Sequence, residues 1–163
     1  MTEPISDVDR VVVQAQLGRP PRAMRAIAHR CGCGLVDVVE TNPRLEDGTP
    51  FPTLFYLTCP RAASAIGRLE SEGLMKSMTA RLAEDPDLQE RYDAAAADYL
   101  ARRDALEVLG TAPAQGGMPV RVKCLHVLVA HSLAVGRGVN PFGDEALDLL
   151  PDWGAGGPCV DVS

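Results

Sequence analysis

Residues 53–69 read TLFYLTCPRAASAIGRL, and this stretch divides the chain into two kinds of secondary structure. The apolar run 53–58 is rich in residues that favour a strand. Pro60 suits the first position of a helix, where its missing N–H needs no partner, and Ala62 and Ile66 follow at helical spacing. The sequence therefore predicts strands before Pro60 and helices after it.

The chain before this junction predicts one helix and two more strands. Ser6 or Asp7 can cap a helix that ends at Gly18, because short polar side chains accept the free N–H groups of a first turn. Residues 24–29 and 35–40 favour the extended backbone, and a Cys-Gly-Cys-Gly turn joins them. With the apolar run already described, these segments predict a small three-stranded sheet.

The chain after the junction predicts helices of different character. Residues 88–106 carry apolar side chains at every third or fourth position, so this helix buries one face. Residues 120–135 are apolar almost all round, which is typical of a central helix, and Asn140 can cap a short helix over 142–150. The fold predicted is α+β, with a small three-stranded N-terminal sheet packed on a mostly helical remainder with a central buried helix.

The length of the chain, 163 residues, and its apolar content, 46%, suit one hydrophobic core. We expect a single domain over residues 1–163. Its parts are a helix and sheet in 1–59, a helical part in 60–150 and an irregular tail in 151–163.

Composition and charge argue against several classes of protein. No segment has the roughly 20 consecutive apolar residues of a membrane span, and the acidic N-terminus is unlike a signal peptide, so we expect a cytoplasmic protein. The net charge of −6 argues against a general nucleic-acid binder. The common nucleotide-binding, metalloprotease and hydrolase motifs are absent from the sequence, so no ordinary enzyme class is indicated.

One segment departs from this acidic balance. No acidic residue lies between Asp9 and Asp37. The interval contains four arginines that could bind an anion, namely Arg19, Arg22, Arg25 and Arg30. Guanidinium groups bind phosphate and carboxylate through paired hydrogen bonds, so this patch predicts a site for phosphate or a polyphosphate-like anion. A solvated arginine-rich edge is the alternative.

Five cysteines are present, and in a cytoplasmic protein they are expected to be free thiols, metal ligands or core residues. In a strand that enters the Cys-Gly-Cys-Gly turn, His29, Cys31 and Cys33 would point to one side, because side chains alternate along a strand. The alternative is a glycine-rich turn whose cysteines are small and partly buried.

Cys59 directly precedes Pro60, at the expected N-cap of a helix. The backbone N–H groups at a helix N-terminus favour a thiolate, so Cys59 is a candidate ligand or nucleophile. A cap cysteine buried against the sheet is the alternative.

Three further candidate metal ligands or catalytic residues lie in the predicted helix 120–135. Cys124 and His131 are seven residues apart and share one helix face, whereas His126 points away from both. A histidine that is satisfied by hydrogen bonds within the helical core is the alternative for His126.

These positions suggest a metal centre as the leading hypothesis. The ligands would be three thiolates and an imidazole, from Cys31, Cys59, Cys124 and His131, with His126, His29 and Cys33 as lesser candidates. Such donors match zinc, and an iron–sulfur centre is also compatible with them. Shared ligation predicts that the three sulfurs lie within about 4 Å of one another.

Two other functions remain open from the residues alone. One is a small enzyme in which Cys59 is the nucleophile and His126 or His131 is the base. The other is a metal-free module that binds an anion or another protein through the arginine patch of residues 19–30.

Several short sequence motifs form a distinctive combination. They are RC at 30–31 with Gly34, PFPTLFYLTCP at 50–60, LESEGL at 69–74, KCLH at 123–126 and NPFG at 140–143. The chain resembles, from about residue 11 to residue 159, the bacterial domain-of-unknown-function family 501 in its actinobacterial form. The resemblance implies that its motif positions include Cys31, Cys59, Cys124, His126 and His131. It does not extend to Cys33.

Overall fold

Three strands in the N-terminal third form an antiparallel sheet, in a computed structural model that describes residues 2–109, 122 and 124–161. The strands are β1 (Met24–Arg30), β2 (Val36–Thr41) and β3 (Phe55–Leu57), and β2 lies between the other two. The third strand is shorter than the predicted run 53–58, although the Leu54 carbonyl still accepts from the Thr41 N–H of β2. The Leu54 N–H donates to the Tyr99 hydroxyl instead of a strand partner.

Six helices surround this sheet among the described residues, and their capping residues agree with the sequence pattern. They are α1 (Asp7–Leu17), α2 (Pro60–Ser71), α3 (Leu74–Glu84), α4 (Pro86–Asp104), α5 (Leu125–Val135) and α6 (Pro141–Leu149). Ser6 forms a capping box with Asp9 at the start of α1, and the Asn140 side chain accepts from the Gly143 N–H in the first turn of α6. The predicted α+β fold is confirmed.

The sheet separates two hydrophobic clusters. On one side, Val12 and Val13 of α1 pack against Ile27 and Val39 of the sheet. On the other side, the larger cluster joins the sheet to the helical part of the chain, and Leu125, Leu128 and Val129 of α5 are fully buried within it. Helix α5 contacts the sheet as well as α2 and α6, so it occupies the central position that its apolar sequence predicts.

The start of α5 differs from the prediction of a helix over residues 120–135. The helix begins at Leu125, and Cys124 precedes it with an extended backbone, φ −151° and ψ 112°. Residues 120, 121 and 123 lie outside the described part of the chain. Cys124 is therefore the N-cap of α5, so the prediction that Cys124 and His131 share one helix face is wrong.

The C-terminal segment 151–161 contains neither helix nor strand and folds back on the body of the protein. Arg61 of α2 donates a hydrogen bond to the Gly157 carbonyl at 2.8 Å, and the Gln16 amide contacts the Cys159 sulfur at 3.4 Å. Within the described residues, we find no helix with the length and apolar character needed to cross a membrane.

Candidate metal centre

Three side chains that can bind a metal ion meet where helix α2 packs against the start of α5. They are Glu70 near the end of α2, Cys124 at the N-cap of α5 and His126 in its first turn. One oxygen, one sulfur and one nitrogen from these residues all lie within 4.8 Å of one another. Within residues 2–109, 122 and 124–161, this is the one group of three such side chains with that spacing.

The Glu70 carboxylate is fixed by the helix that it faces. Its Oε2 atom accepts a hydrogen bond from the Leu125 backbone N–H at 2.9 Å. The first N–H groups of a helix have no partner within the helix, and a carboxylate is favoured there by the helix dipole. Glu70 therefore caps α5 from a neighbouring helix, and this contact places it beside Cys124 and His126.

The two nitrogens of the His126 ring have different partners. Nε2 lies 3.1 Å from the Ala63 carbonyl oxygen, which can only accept, so Nε2 carries a proton. Nδ1 lies 3.4 Å from Glu70 Oε2 and 4.0 Å from the Cys124 sulfur. A backbone carbonyl that holds one ring N–H while the other nitrogen faces anionic donors is the usual arrangement around a metal-bound histidine.

The charges of Cys124 and His126 are coupled. The hydrogen bond with Cys124 raises the pKa of His126 to about 9, although burial of the ring opposes this effect and Glu70 supports it. Burial of the thiol opposes ionisation of Cys124, but the contacts with His126 and the Val127 N–H outweigh burial and lower its pKa. Without a metal ion, each of the two residues therefore favours the charged form of the other.

A cleft of about 550 Å³ lies in front of this cluster. Cys124 and His126 line it on one side, and Tyr56, Thr58 and Ala63 are among the residues that line the rest. The cleft gives an ion at the cluster access to solvent and leaves room for a small ligand.

The structure does not bring Cys31, Cys59 and Cys124 together, so the predicted convergence of the three sulfurs is wrong. Cys31 follows β1 and Cys59 follows β3, at the same end of the sheet as expected. However, β2 lies between these strands, and two strand spacings of about 4.8 Å separate such positions by roughly 10 Å. Cys124 instead lies beside α2, with Glu70 and His126.

Cys59 is the N-cap of α2, as the sequence predicts, but it does not have the predicted thiolate character. The residue is only 2% exposed. Burial raises the pKa of the Cys59 thiol to about 11, which the N–H groups of the first helical turn only partly offset. The neighbouring Cys159 also disfavours the Cys59 thiolate. The proposal that Cys59 is an activated nucleophile is therefore corrected: this thiol is a buried cap.

His29, Cys31 and Cys33 do not form a three-ligand group in the described structure. The His29 ring contacts Asp37 Oδ1 at 2.7 Å, which uses its Nδ1 atom. Cys31 is buried, and burial raises the pKa of its thiol. The Cys33 backbone N–H donates to the Cys31 sulfur at 3.5 Å, so the two cysteines belong to one compact turn.

His131 is completely buried, and the described residues occupy both of its ring nitrogens. The Asn140 side-chain oxygen accepts from Gly143, which leaves the Asn140 amide N–H to donate to His131 Nδ1 at 3.2 Å. Nε2 then donates to Asp98 Oδ2 at 2.8 Å. Burial lowers the pKa of His131, so it is neutral and holds α5, α4 and the start of α6 together. The geometry argues against a role for His131 as a ligand or base.

The arginine patch is divided by ion pairs. Arg25 pairs with Glu40 at 3.3 Å, and Arg30 pairs with Asp9 at 3.0 Å. Arg19 and Arg22 instead line a separate cavity. The four arginines therefore do not form one common anion site.

Glu70 is the site residue that sequence reasoning missed. It lies four residues after Ile66, which is buried on the inner face of α2. Residues four apart share one face of a helix. A carboxylate that continues a buried stripe is a signal for a functional or capping role, and here Glu70 faces α5.

The comparisons with known proteins add one finding. A sequence model of the family described as "Protein of unknown function (DUF501)" matches residues 27–148, well over half of the chain. No curated protein and no solved structure matches the sequence significantly.

Proposed function

The chain belongs to the DUF501 family of proteins of unknown function, and we propose that it binds a divalent transition-metal ion, zinc foremost, through Glu70, Cys124 and His126. One observation carries the proposal: a carboxylate oxygen, a thiol sulfur and an imidazole nitrogen from two packed helices lie within 4.8 Å of one another. These three donor types are those that zinc prefers in proteins.

The distances between the donors suit a single small ion. Zinc bonds of about 2.0 to 2.3 Å in tetrahedral geometry place neighbouring ligand atoms about 3.4 to 3.6 Å apart. His126 Nδ1 and Glu70 Oε2 are 3.4 Å apart, and His126 Nδ1 and the Cys124 sulfur are 4.0 Å apart. A movement of about half an ångström brings His126 Nδ1 and the Cys124 sulfur to this spacing, and the Glu70 oxygen lies within 4.8 Å of both atoms. The single cysteine favours zinc over an iron–sulfur cluster, which typically has four protein ligands, most or all of them cysteines.

Three protein ligands beside an open cleft favour a metal site in which the fourth coordination position of the ion is free. Structural zinc sites normally have four protein ligands, whereas catalytic sites have three and hold water or substrate at the fourth. A bound zinc ion would lower the pKa of such a water molecule and polarise a carbonyl group. In this proposal the chain positions the ion through Glu70 and His126, and the Ala63 carbonyl fixes the His126 ring.

Cobalt substitution tests the site directly. Titration of the purified, chelator-treated protein with Co²⁺ is expected to saturate at one ion and to give a thiolate-to-cobalt charge-transfer band. Glu70→Gln is expected to weaken Co²⁺ and Zn²⁺ binding about tenfold or more, because an uncharged amide is a poorer ligand.

Glu72→Gln is the matched control for Glu70→Gln. Glu72 is an exposed residue two positions further along the chain, and its replacement should leave the affinity unchanged. Absence of the thiolate band in the wild-type protein, or equal affinities in the two variants, would contradict the proposed ligand set.

Metal affinity is expected to rise with pH. Because the pKa of His126 is about 9, an ion that binds at neutral pH must displace the imidazolium proton. The apparent dissociation constant for Zn²⁺ should therefore fall by up to about tenfold per pH unit between about pH 6.5 and 8.5, and level off near the pKa. Calorimetry in buffers of different ionisation enthalpy should detect the release of at least the His126 proton. A pH-independent affinity would show that His126 does not bind the ion through Nδ1.

A second candidate function rests on the lowered pKa of the Cys124 thiol. A thiolate beside an imidazolium, at a helix N-terminus and facing a cleft, is also the arrangement of a nucleophilic cysteine. The two functions differ in one measurement: zinc should protect Cys124 from iodoacetamide if it is a ligand. Rapid alkylation at neutral pH that zinc leaves unchanged, and that is slowed in His126→Asn, would favour a cysteine-dependent enzyme with Cys124 as the nucleophile.

A further inference from the structure

A second cavity lies on the opposite side of the sheet from α5, between α1 and the sheet. Its volume is about 260 Å³. We propose that it binds a small organic carboxylate with an apolar body, and that Arg19 and Arg22 bind the carboxylate group. This inference does not depend on the metal centre.

The walls of the cavity are mainly apolar. They include Val13 and Leu17 of α1, Val39 of β2 and the rings of Phe51 and Tyr56. The two ring centroids are 6.4 Å apart, within the range of an aromatic pair. Cavities of about this size with apolar walls and a few polar groups at one point are typical of sites for small ligands.

Arg19 and Arg22 supply the polar groups at the edge of this cavity. Both residues are exposed. Whereas Arg25 and Arg30 form ion pairs, neither Arg19 nor Arg22 has a carboxylate within 4.0 Å among the residues that the structure describes. Two guanidinium groups without an ion pair at this distance can bind a carboxylate through several charge-assisted hydrogen bonds.

The backbone beside Arg22 is held in an uncommon conformation. Ala23 has a φ of 55°, the one positive value among the described residues other than glycine. The Glu46 carboxylate accepts the Ala23 N–H at 3.0 Å. This contact joins the loop that follows β2 to the segment that carries the two arginines, and so fixes their position at the cavity.

The surroundings favour a monoanion over a polyphosphate. Hydrogen bonds from nearby N–H groups lower the pKa of Glu46 and of Asp47, and the charge of Arg22 adds to this effect, so both carboxylates lie near Arg22. A highly charged anion would be repelled by these two carboxylates. An apolar carboxylate needs only the two arginines, and the hydrophobic effect stabilises its body in the cavity.

The proposal can be tested by calorimetric titration with 2-naphthoate at low ionic strength. Two comparison compounds separate the contribution of the negative charge to binding from that of the apolar rings. 2-Naphthalenemethanol has the rings without the charge, and pyrophosphate has charge without an apolar body. We expect naphthoate to bind at least about tenfold more tightly than either compound, with an affinity that falls as salt is added. The double variant Arg19→Gln/Arg22→Gln should lose about tenfold or more in affinity for naphthoate.

Arg25→Gln is the matched control, because Arg25 lies in the same segment but pairs with Glu40. It should bind naphthoate as the wild-type protein does, and thermal denaturation should confirm that all variants are folded. Several outcomes would overturn the proposal: no binding of naphthoate, equal binding of the alcohol, tighter binding of pyrophosphate, or equal losses in the control and the double variant. Tighter binding of pyrophosphate would instead support a general phosphate patch.

Discussion

Cys124→Ser is expected to lower the affinity of the protein for Zn²⁺ by about a hundredfold or more, because the variant loses the only thiolate of the three-ligand cluster. A serine hydroxyl remains protonated at neutral pH and is a weak zinc ligand. His126 and Glu70 would then remain as two ligands beside an open cleft, too few for a tight site. Competition with a chromophoric chelator for Zn²⁺ would give the dissociation constants of the wild-type protein and of Cys124→Ser.

Cys33→Ser is the matched control for this variant. Cys33 is a partly buried free thiol outside the cluster, so the same change of sulfur to oxygen should leave zinc affinity within about twofold of the wild-type value. If Cys124→Ser bound zinc as tightly as the wild-type protein, the ion would have to bind elsewhere. If Cys33→Ser lost affinity equally, the cluster would not be the site.

The fold could be predicted from the sequence where local signals agree with tertiary packing. Pro60 begins α2, Ser6 and Asn140 act as N-caps, and the apolar residues of α5 are buried. These features follow from capping preferences and from hydrophobic periodicity, and both can be recognised from residues close together in the sequence. The α+β class follows from them.

The site could be predicted only in part, because its geometry depends on how two helices pack. Periodicity predicts that the helix of residues 120–135 includes Cys124, which would separate Cys124 from His126 around the helix. In the structure Cys124 has an extended backbone, and this single change of conformation brings the two side chains together. Glu70 is 54 residues earlier than Cys124, and only the contact between α2 and α5 brings it to the site.

Cys59 illustrates how burial can outweigh a local electrostatic signal. The N-terminus of a helix stabilises a negative charge by about 0.3 to 1 kcal/mol at an exposed position. Desolvation of a fully buried group can shift its pKa by up to about 3 to 5 units, and each unit corresponds to about 1.4 kcal/mol. The sequence reveals the N-cap position of Cys59 but not its burial, which depends on the packing of the sheet and the C-terminal segment around it.

Gly143→Ala is expected to lower the free energy of unfolding by about 3 kcal/mol, because α6 approaches α5 too closely for a side chain at this position. A Cβ atom at residue 143 would lie 2.2 Å from Ser132 Oγ and 2.3 Å from the backbone oxygen of Leu128. The serine side chain can rotate, but the Leu128 oxygen is part of α5. The two helices would therefore have to move apart, which would disturb the packing of Phe142 and the contact between Asn140 and His131.

Gly67→Ala provides the control for this substitution. Gly67 lies within α2, and a Cβ atom there would have no heavy atom within 4 Å apart from its chain neighbours and the backbone of its own helix. Alanine has a higher helix propensity than glycine, so this variant should be more stable than the wild-type protein by up to about 1 kcal/mol. Urea unfolding followed by circular dichroism would measure both changes. An unfolding free energy for Gly143→Ala within about 0.5 kcal/mol of the wild-type value would show that α5 and α6 do not pack at the distance described here, since no rearrangement of side chains alone can accommodate the added carbon against the Leu128 backbone.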